Sequence, residues 1–169
     1  MCSFIIIALL LYAIYHSQLK NLKPQKVIIF PPVFKYVLIS AISLTFIQVF
    51  LGTQVRQFID EQVLNFGYKK ELWLQNPNLQ FYIHRTLSIL IILINASLYM
   101  IIKKMQLNEP LINYIMLVIG LEVVTGILMY YLNFPFTTQP LHLVLSALLF
   151  GLQFYLILKT TIKKHKILN

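Results

Sequence analysis

Four apolar runs, each about as long as a bilayer is thick, dictate what this chain can become. They are Phe34–Gln54, Phe81–Ile102, Leu111–Leu132 and Leu141–Leu158. A membrane-spanning helix needs about 20 mostly apolar residues. Inside lipid every backbone N–H and C=O must be satisfied by the chain itself, so runs of this length are read as helices. Only 11% of the residues are charged and 59% are apolar, against about 25% charged in ordinary soluble domains. A water-facing surface cannot be built from so few charges. The expected fold is an all-α membrane protein, a four-helix transmembrane bundle with a short N-terminal helix remnant and no soluble domain.

The stretch Cys2–Tyr15 is apolar but short of a span. It has no basic start and no small-residue cleavage site behind it, so it is not a signal peptide. It reads as the tail of a transmembrane helix whose beginning is missing. The expected division is therefore residues 1–33 as truncated helix and basic linker, 34–160 as bundle, and 161–169 as basic tail. A polar loop, Arg56–Gln80, separates the first two spans and holds Asp60, Glu61, Lys69, Lys70, Glu71 and Trp73. The turn Lys103–Pro110 is basic, and the turn Asn133–Pro140 carries no charge.

Lys and Arg outnumber Asp and Glu by 14 to 5. In a soluble protein that balance would raise the question of nucleic acid. Here the lysines lie between apolar blocks, so the expected partner is membrane lipid, not nucleic acid. The linker with Lys20, Lys23 and Lys26, the 103–110 turn, and the tail with Lys159, Lys163, Lys164 and Lys166 all fall on one side. By the positive-inside rule that side is the cytoplasm. Cys2 is the sole cysteine, so neither an intrachain disulfide nor a cysteine-based metal site fits.

The spans repeat. His84, Ser88 and Asn95 in the second match His142, Ser146 and Gln153 in the fourth, at offsets of zero, four and eleven. On a helix those three positions lie within about 40° of one another. Gln48 and Gly52 in the first span match Glu122 and Gly126 in the third, each pair four residues apart. The bundle is thus expected to be two repeated helical hairpins about a pseudo-twofold axis along the membrane normal. Each feature alone has a plainer reading: a histidine at the interface, glycines that allow close packing, amides that bond to neighbouring helices. A twofold, however, places His84 and His142 on opposite sides of one axis, where a flat cofactor needs two axial ligands.

Both histidines lie at one depth. His84 is about 28 Å of helix from Lys103, and His142 about 26 Å from Lys159, close to the roughly 30 Å of a hydrocarbon core. Two neutral imidazoles with no carboxylate or thiolate beside them suit a six-coordinate haem better than zinc, which wants four protein ligands. Arg85, next to His84, and Arg56, at the end of the first span, are candidates to pair with haem propionates, or simply anchor helix ends at headgroups. Glu122 is the one carboxylate deep in a span, and an intramembrane ionisable group is a functional candidate by default. Its expected partner is Gln48, its counterpart in the repeat, and a proton-relay role is the weaker option.

The stretches Ile47–Arg56 (IQVFLGTQVR), Tyr82–Thr86 (YIHRT) and Leu121–His142 (LEVVTGILMYYLNFPFTTQPLH) resemble the C-terminal half of the haem A synthases. These membrane oxidoreductases convert haem O to haem A for cytochrome oxidase. The resemblance implies the last four helices of an eight-helix enzyme, a haem b held by His84 and His142, and residence in a bacterial cytoplasmic (inner) membrane with the C-terminus cytoplasmic. The family's first half, with its own histidine pair, has no counterpart here. A glutamate which that half carries three residues before its first histidine corresponds to Phe81. The cysteine pair that many members have in an outer loop is also missing.

The leading expectation is the haem-binding half of such an enzyme, inactive alone and partnered by the missing N-terminal half or by a second copy. A stand-alone bis-histidine cytochrome for electron transfer and a non-catalytic membrane assembly protein are the alternatives.

Overall fold

A computed structural model describes residues 2–21, 28–135 and 137–165. Lys23, Lys26 and Lys166, counted above among the lysines of one side, lie outside the described residues. The described chain is helical, with no strand: α1 Cys2–Asn21, α2 Pro32–Phe66, α3 Leu79–Lys104, α4 Leu111–Tyr131 and α5 Thr138–His165. Four of these, α2 to α5, are long and apolar enough to cross a membrane, while the apolar part of α1, Phe4–Ser17, is shorter. Large apolar side chains such as Ile39, Ile47, Leu93, Leu117 and Val124 point outward. On a water-soluble protein so broad an apolar surface would aggregate; on a multi-pass membrane protein it faces lipid.

Local chemistry sets the helix ends. Pro31 precedes α2, with proline again at its first position, where the missing N–H costs nothing. The Asn78 side chain accepts from Phe81 N–H at 3.0 Å and caps α3. The largest departure from expectation is the end of α2, which continues twelve residues past Gln54 into the stretch read as loop. Between them no glycine or proline interrupts the chain, and Arg56–Asp60 (3.8 Å) and Gln57–Glu61 (3.4 Å) pair at the i,i+4 spacing. The helix stops at the first glycine, Gly67, whose φ of 60° and ψ of −136° suit no other residue well.

In the bundle α2 packs on α3, α4 on α5, α2 on α5 and α3 on α4, while the diagonal pairs α2/α4 and α3/α5 nowhere come within 8 Å between Cα atoms. A twofold that exchanges the hairpins exchanges these pairings as well, which matches the repeated hairpins read from the sequence. Outside this ring α1 lies along α5. Phe4 meets Phe150 edge to face at 5.1 Å, Tyr15 meets Tyr155 at 5.4 Å, and Leu11 and Ile7 sit over Gly151.

Side-chain ties close both ends. At the end carrying Lys103 and Lys104, Glu109 in the α3–α4 turn is fully buried and accepts from Lys159 of α5 at 2.7 Å. Lys159, counted above among the lysines of the basic tail, is ion-paired. At the opposite end a short 3-10 turn, Lys70–Leu72, brings Lys70 Nζ to the Phe134 carbonyl at 3.0 Å. The Trp73 ring covers Phe134 at 5.7 Å, and its N–H donates to the Gly67 carbonyl at 3.1 Å. Phe134 needs such support, because its φ of 54° is unfavourable for an aromatic residue.

Two expected outcomes follow from these ends. Lys159→Met leaves a buried carboxylate without its cation and should cost about 3–5 kcal/mol. The double variant with Glu109→Gln should recover most of that, read as thermal unfolding by circular dichroism in detergent. Gly67→Ala meets no atom within 4 Å, so any loss is backbone strain alone, about 1–3 kcal/mol; an unchanged melting curve would contradict the strain.

Candidate functional site

The bundle interior changes character along its length. Its packed core is built from Phe34, Leu38, Ala41, Leu98, Ile102, Ile112, Ile115, Val118, Ile119, Leu145, Leu149 and Leu156. All but Leu145 lie on the basic-end side of Gln48, Asn95, Glu122 and Ser146. Toward the other end buried or half-buried polar groups, among them His84, Glu122, Thr125 and His142, stand among the apolar ones.

Within the bundle Gln153 and Asn95 are both fully buried. Gln153 Nε2 donates to Asn95 Oδ1 at 3.0 Å, and Asn95 Nδ2 donates to the Ile91 carbonyl of its own helix at 2.8 Å. These two residues are counterparts in the repeat. Counterparts that touch must lie on the axis that relates them, so the pseudo-twofold passes between them. Eleven residues back along α3 and α5, three turns and about 16 Å away, the same faces carry His84 and His142.

Each imidazole rests against a glycine of its own hairpin. A Cβ added to Gly52 would lie 3.4 Å from His84 Cε1, and one added to Gly126 would lie 3.9 Å from His142 Cε1. The same contact is made twice, which explains why the glycines recur four residues after Gln48 and Glu122.

The polar partners are not duplicated. His142 Nδ1 is 2.8 Å from Glu122 Oε2 and 2.8 Å from Thr125 Oγ1. Ser146 Oγ reaches Glu122 Oε1 and the His142 carbonyl, both at 3.0 Å. In the other hairpin Gln48 Nε2 donates to the His84 carbonyl at 2.9 Å, Ser88 Oγ donates to the Arg85 carbonyl, and His84 Nδ1 is buried with no partner. Two expectations therefore change. Glu122 binds His142 and Ser146, not Gln48, and a carboxylate does stand beside one of the imidazoles. The reason is the antiparallel hairpin, which brings Glu122 level with Ser146, on the face that also holds His142.

Thr125 was not singled out in the sequence, although it lies three residues after Glu122 on the same face. Its counterpart in α2 is Leu51, which explains why His84 has no such partner. The arginines stand near the site without joining it. Arg85 lies over the Tyr130 ring at 5.3 Å, and Arg56 pairs with Asp60 on the exposed part of α2.

His142 and Glu122 keep 23% and 14% of their side-chain surface accessible. Among the described residues no group of three or more His, Cys, Asp or Glu is placed to hold a bare metal ion. With His142 Nδ1 engaged, its Nε2 is the nitrogen left to bind a ligand. Neither a curated protein nor a solved structure matches the chain. A sequence profile described as COX15-CtaA, cytochrome oxidase assembly protein, does match, over residues 1–154, and the chain therefore belongs to that family, the haem A synthases.

Proposed function

We propose that the chain is the haem b-binding, C-terminal-type half of a haem A synthase, with His84 and His142 as the two axial ligands of one haem. The observation that carries this reading is the pair of glycine–imidazole contacts, Gly52 with His84 and Gly126 with His142, made at one level on either side of the axis that Asn95 and Gln153 define. The residues fit the group. The donor set is two imidazoles, one of them backed by the Glu122 carboxylate, and the helices around them face lipid, as an apolar macrocycle requires.

His84 and His142 would hold the iron, and Arg85 and Arg56, toward the same end of the bundle, would offer charge to the propionates. Bound there, haem b supplies one-electron oxidation and reduction. The chain's own part is to orient the two imidazoles and to exclude water beyond the Asn95–Gln153 pair. The haem O-oxidising step belongs, on this reading, to a partner: a first half of the family type, or a second copy of the chain. The protein would reside in a bacterial cytoplasmic membrane with its lysine-rich end inside.

Reconstitution tests the reading. The purified chain with haem should give a low-spin, six-coordinate spectrum, and absence of a Soret band would reject it. His84→Ala and His142→Ala should each yield a five-coordinate or haem-free protein, since each imidazole serves one face of the iron. They should also lower the melting temperature of the haem-loaded protein, because a ligand bound only by the folded state stabilises it. His16→Ala, on the exposed side of α1, should keep the original spectrum.

A second outcome concerns activity. Cells that lack their own synthase and express this chain alone should accumulate haem O and no haem A, because Phe81 stands where the family's other half carries its glutamate. Haem A in their extracts would place the reaction in this chain.

A further inference from the structure

The two hairpins share a backbone plan, yet their histidines are held differently, and the difference has a chemical direction. Thr125 Oγ–H donates to the Glu122 main-chain carbonyl at 2.9 Å. With its proton committed there, the threonine oxygen can only accept from His142 Nδ1, 2.8 Å away. The Glu122 carboxylate, also 2.8 Å from Nδ1, accepts too. Nδ1 therefore carries the proton, and Nε2 has the free lone pair. Ser146 holds the other carboxylate oxygen at 3.0 Å, so Glu122 is oriented in turn. On the other side Gln48 and Leu51 occupy the matching positions. Gln48 spends its amide on the His84 main chain, and His84 Nδ1 has no partner.

We infer that Glu122 is a positioning residue that makes the two histidines unequal ligands: it fixes the His142 tautomer and strengthens His142 as a donor, while His84 stays the weaker one. The inference rests on the haem reading above. A carboxylate accepting from the far nitrogen of a ligating imidazole raises that ligand's basicity. The more basic ligand favours the ferric over the ferrous ion, so the carboxylate holds the midpoint potential down. Thr125 and Ser146 act through the same ring, Thr125 by sharing its proton and Ser146 by orienting the carboxylate.

The test is spectroelectrochemical titration of the haem-loaded full chain at a single pH. Wild type without six-coordinate haem rejects the haem reading itself, before any variant is considered. Given that spectrum, Glu122→Gln keeps the shape and removes the charge. Its midpoint potential should rise. Losing such a partner typically changes metal affinity about 10–100-fold. A tenfold change falling on the ferric form alone is about 59 mV for one electron.

Glu122→Asp retains a carboxylate and should return toward the wild-type potential. Ser88→Ala, the counterpart of Ser146 with a hydroxyl bonded only to its own helix, should leave the potential unchanged. A Glu122→Gln protein that is six-coordinate at the wild-type potential overturns the inference. Should Glu122→Gln retain its helicity but lose haem, recovery of haem in Glu122→Asp supports the inference, and failure to recover it overturns the inference.

Discussion

One buried hydrogen bond organises this bundle, from Gln153 Nε2 to Asn95 Oδ1. Its strength is not what makes it matter. Polar contacts between membrane helices average about 0.6 kcal/mol and reach about 1.7. Leaving either amide unpaired in the apolar interior, though, would cost about 1–3 kcal/mol. The bond therefore discriminates between registers more than it stabilises one. A rotation or slip of α3 against α5 separates the two amides, and the fully packed apolar layers on their basic-end side have no polar group to replace either. Because α3 and α5 are diagonal neighbours, this link fixes the spacing across the ring that the glycine contacts then exploit at the histidines.

From that frame the two halves diverge in chemistry while agreeing in shape. Glycine under imidazole appears twice, a constraint of space. Carboxylate and hydroxyl on Nδ1 appear once, a choice of side chains at two positions, Glu122 for Gln48 and Thr125 for Leu51. Duplication can thus keep one helix packing and still give the two imidazoles different hydrogen-bond partners. Membership of the COX15-CtaA family sets this in the context of cytochrome oxidase assembly.

Much of the architecture was legible in the sequence because lipid makes it so. Length of apolar run decides span, and the offsets 84–88–95 and 142–146–153 revealed the repeat and its inward face before any contact was known. The repeat paired the two glycines as well, but that each lies against a histidine shows only in the packing. Other features escaped for definite reasons. The extra turns of α2 look like loop by their polar composition, but no breaker precedes Gly67 and the helix runs on to it. Repeat logic pairs Glu122 with its counterpart across the axis, whereas a side chain reaches most easily across its own hairpin, here to His142 and Ser146. Glu109 drew no notice in a short turn, since burial of a turn carboxylate is set by a lysine fifty residues away.

The pair Glu109–Lys159 also bears on time. Orientation in the membrane is set while helices are being inserted, when lysines count and carboxylates count little. In the orientation proposed above, Lys159 is at that stage one more positive charge holding its end of α5 back from crossing. Once the bundle closes, the same ammonium lies against a buried carboxylate and presents almost no charge to its surroundings. One side chain thus works first as a signal and later as a fastener, with the second role beginning only after the first has been read.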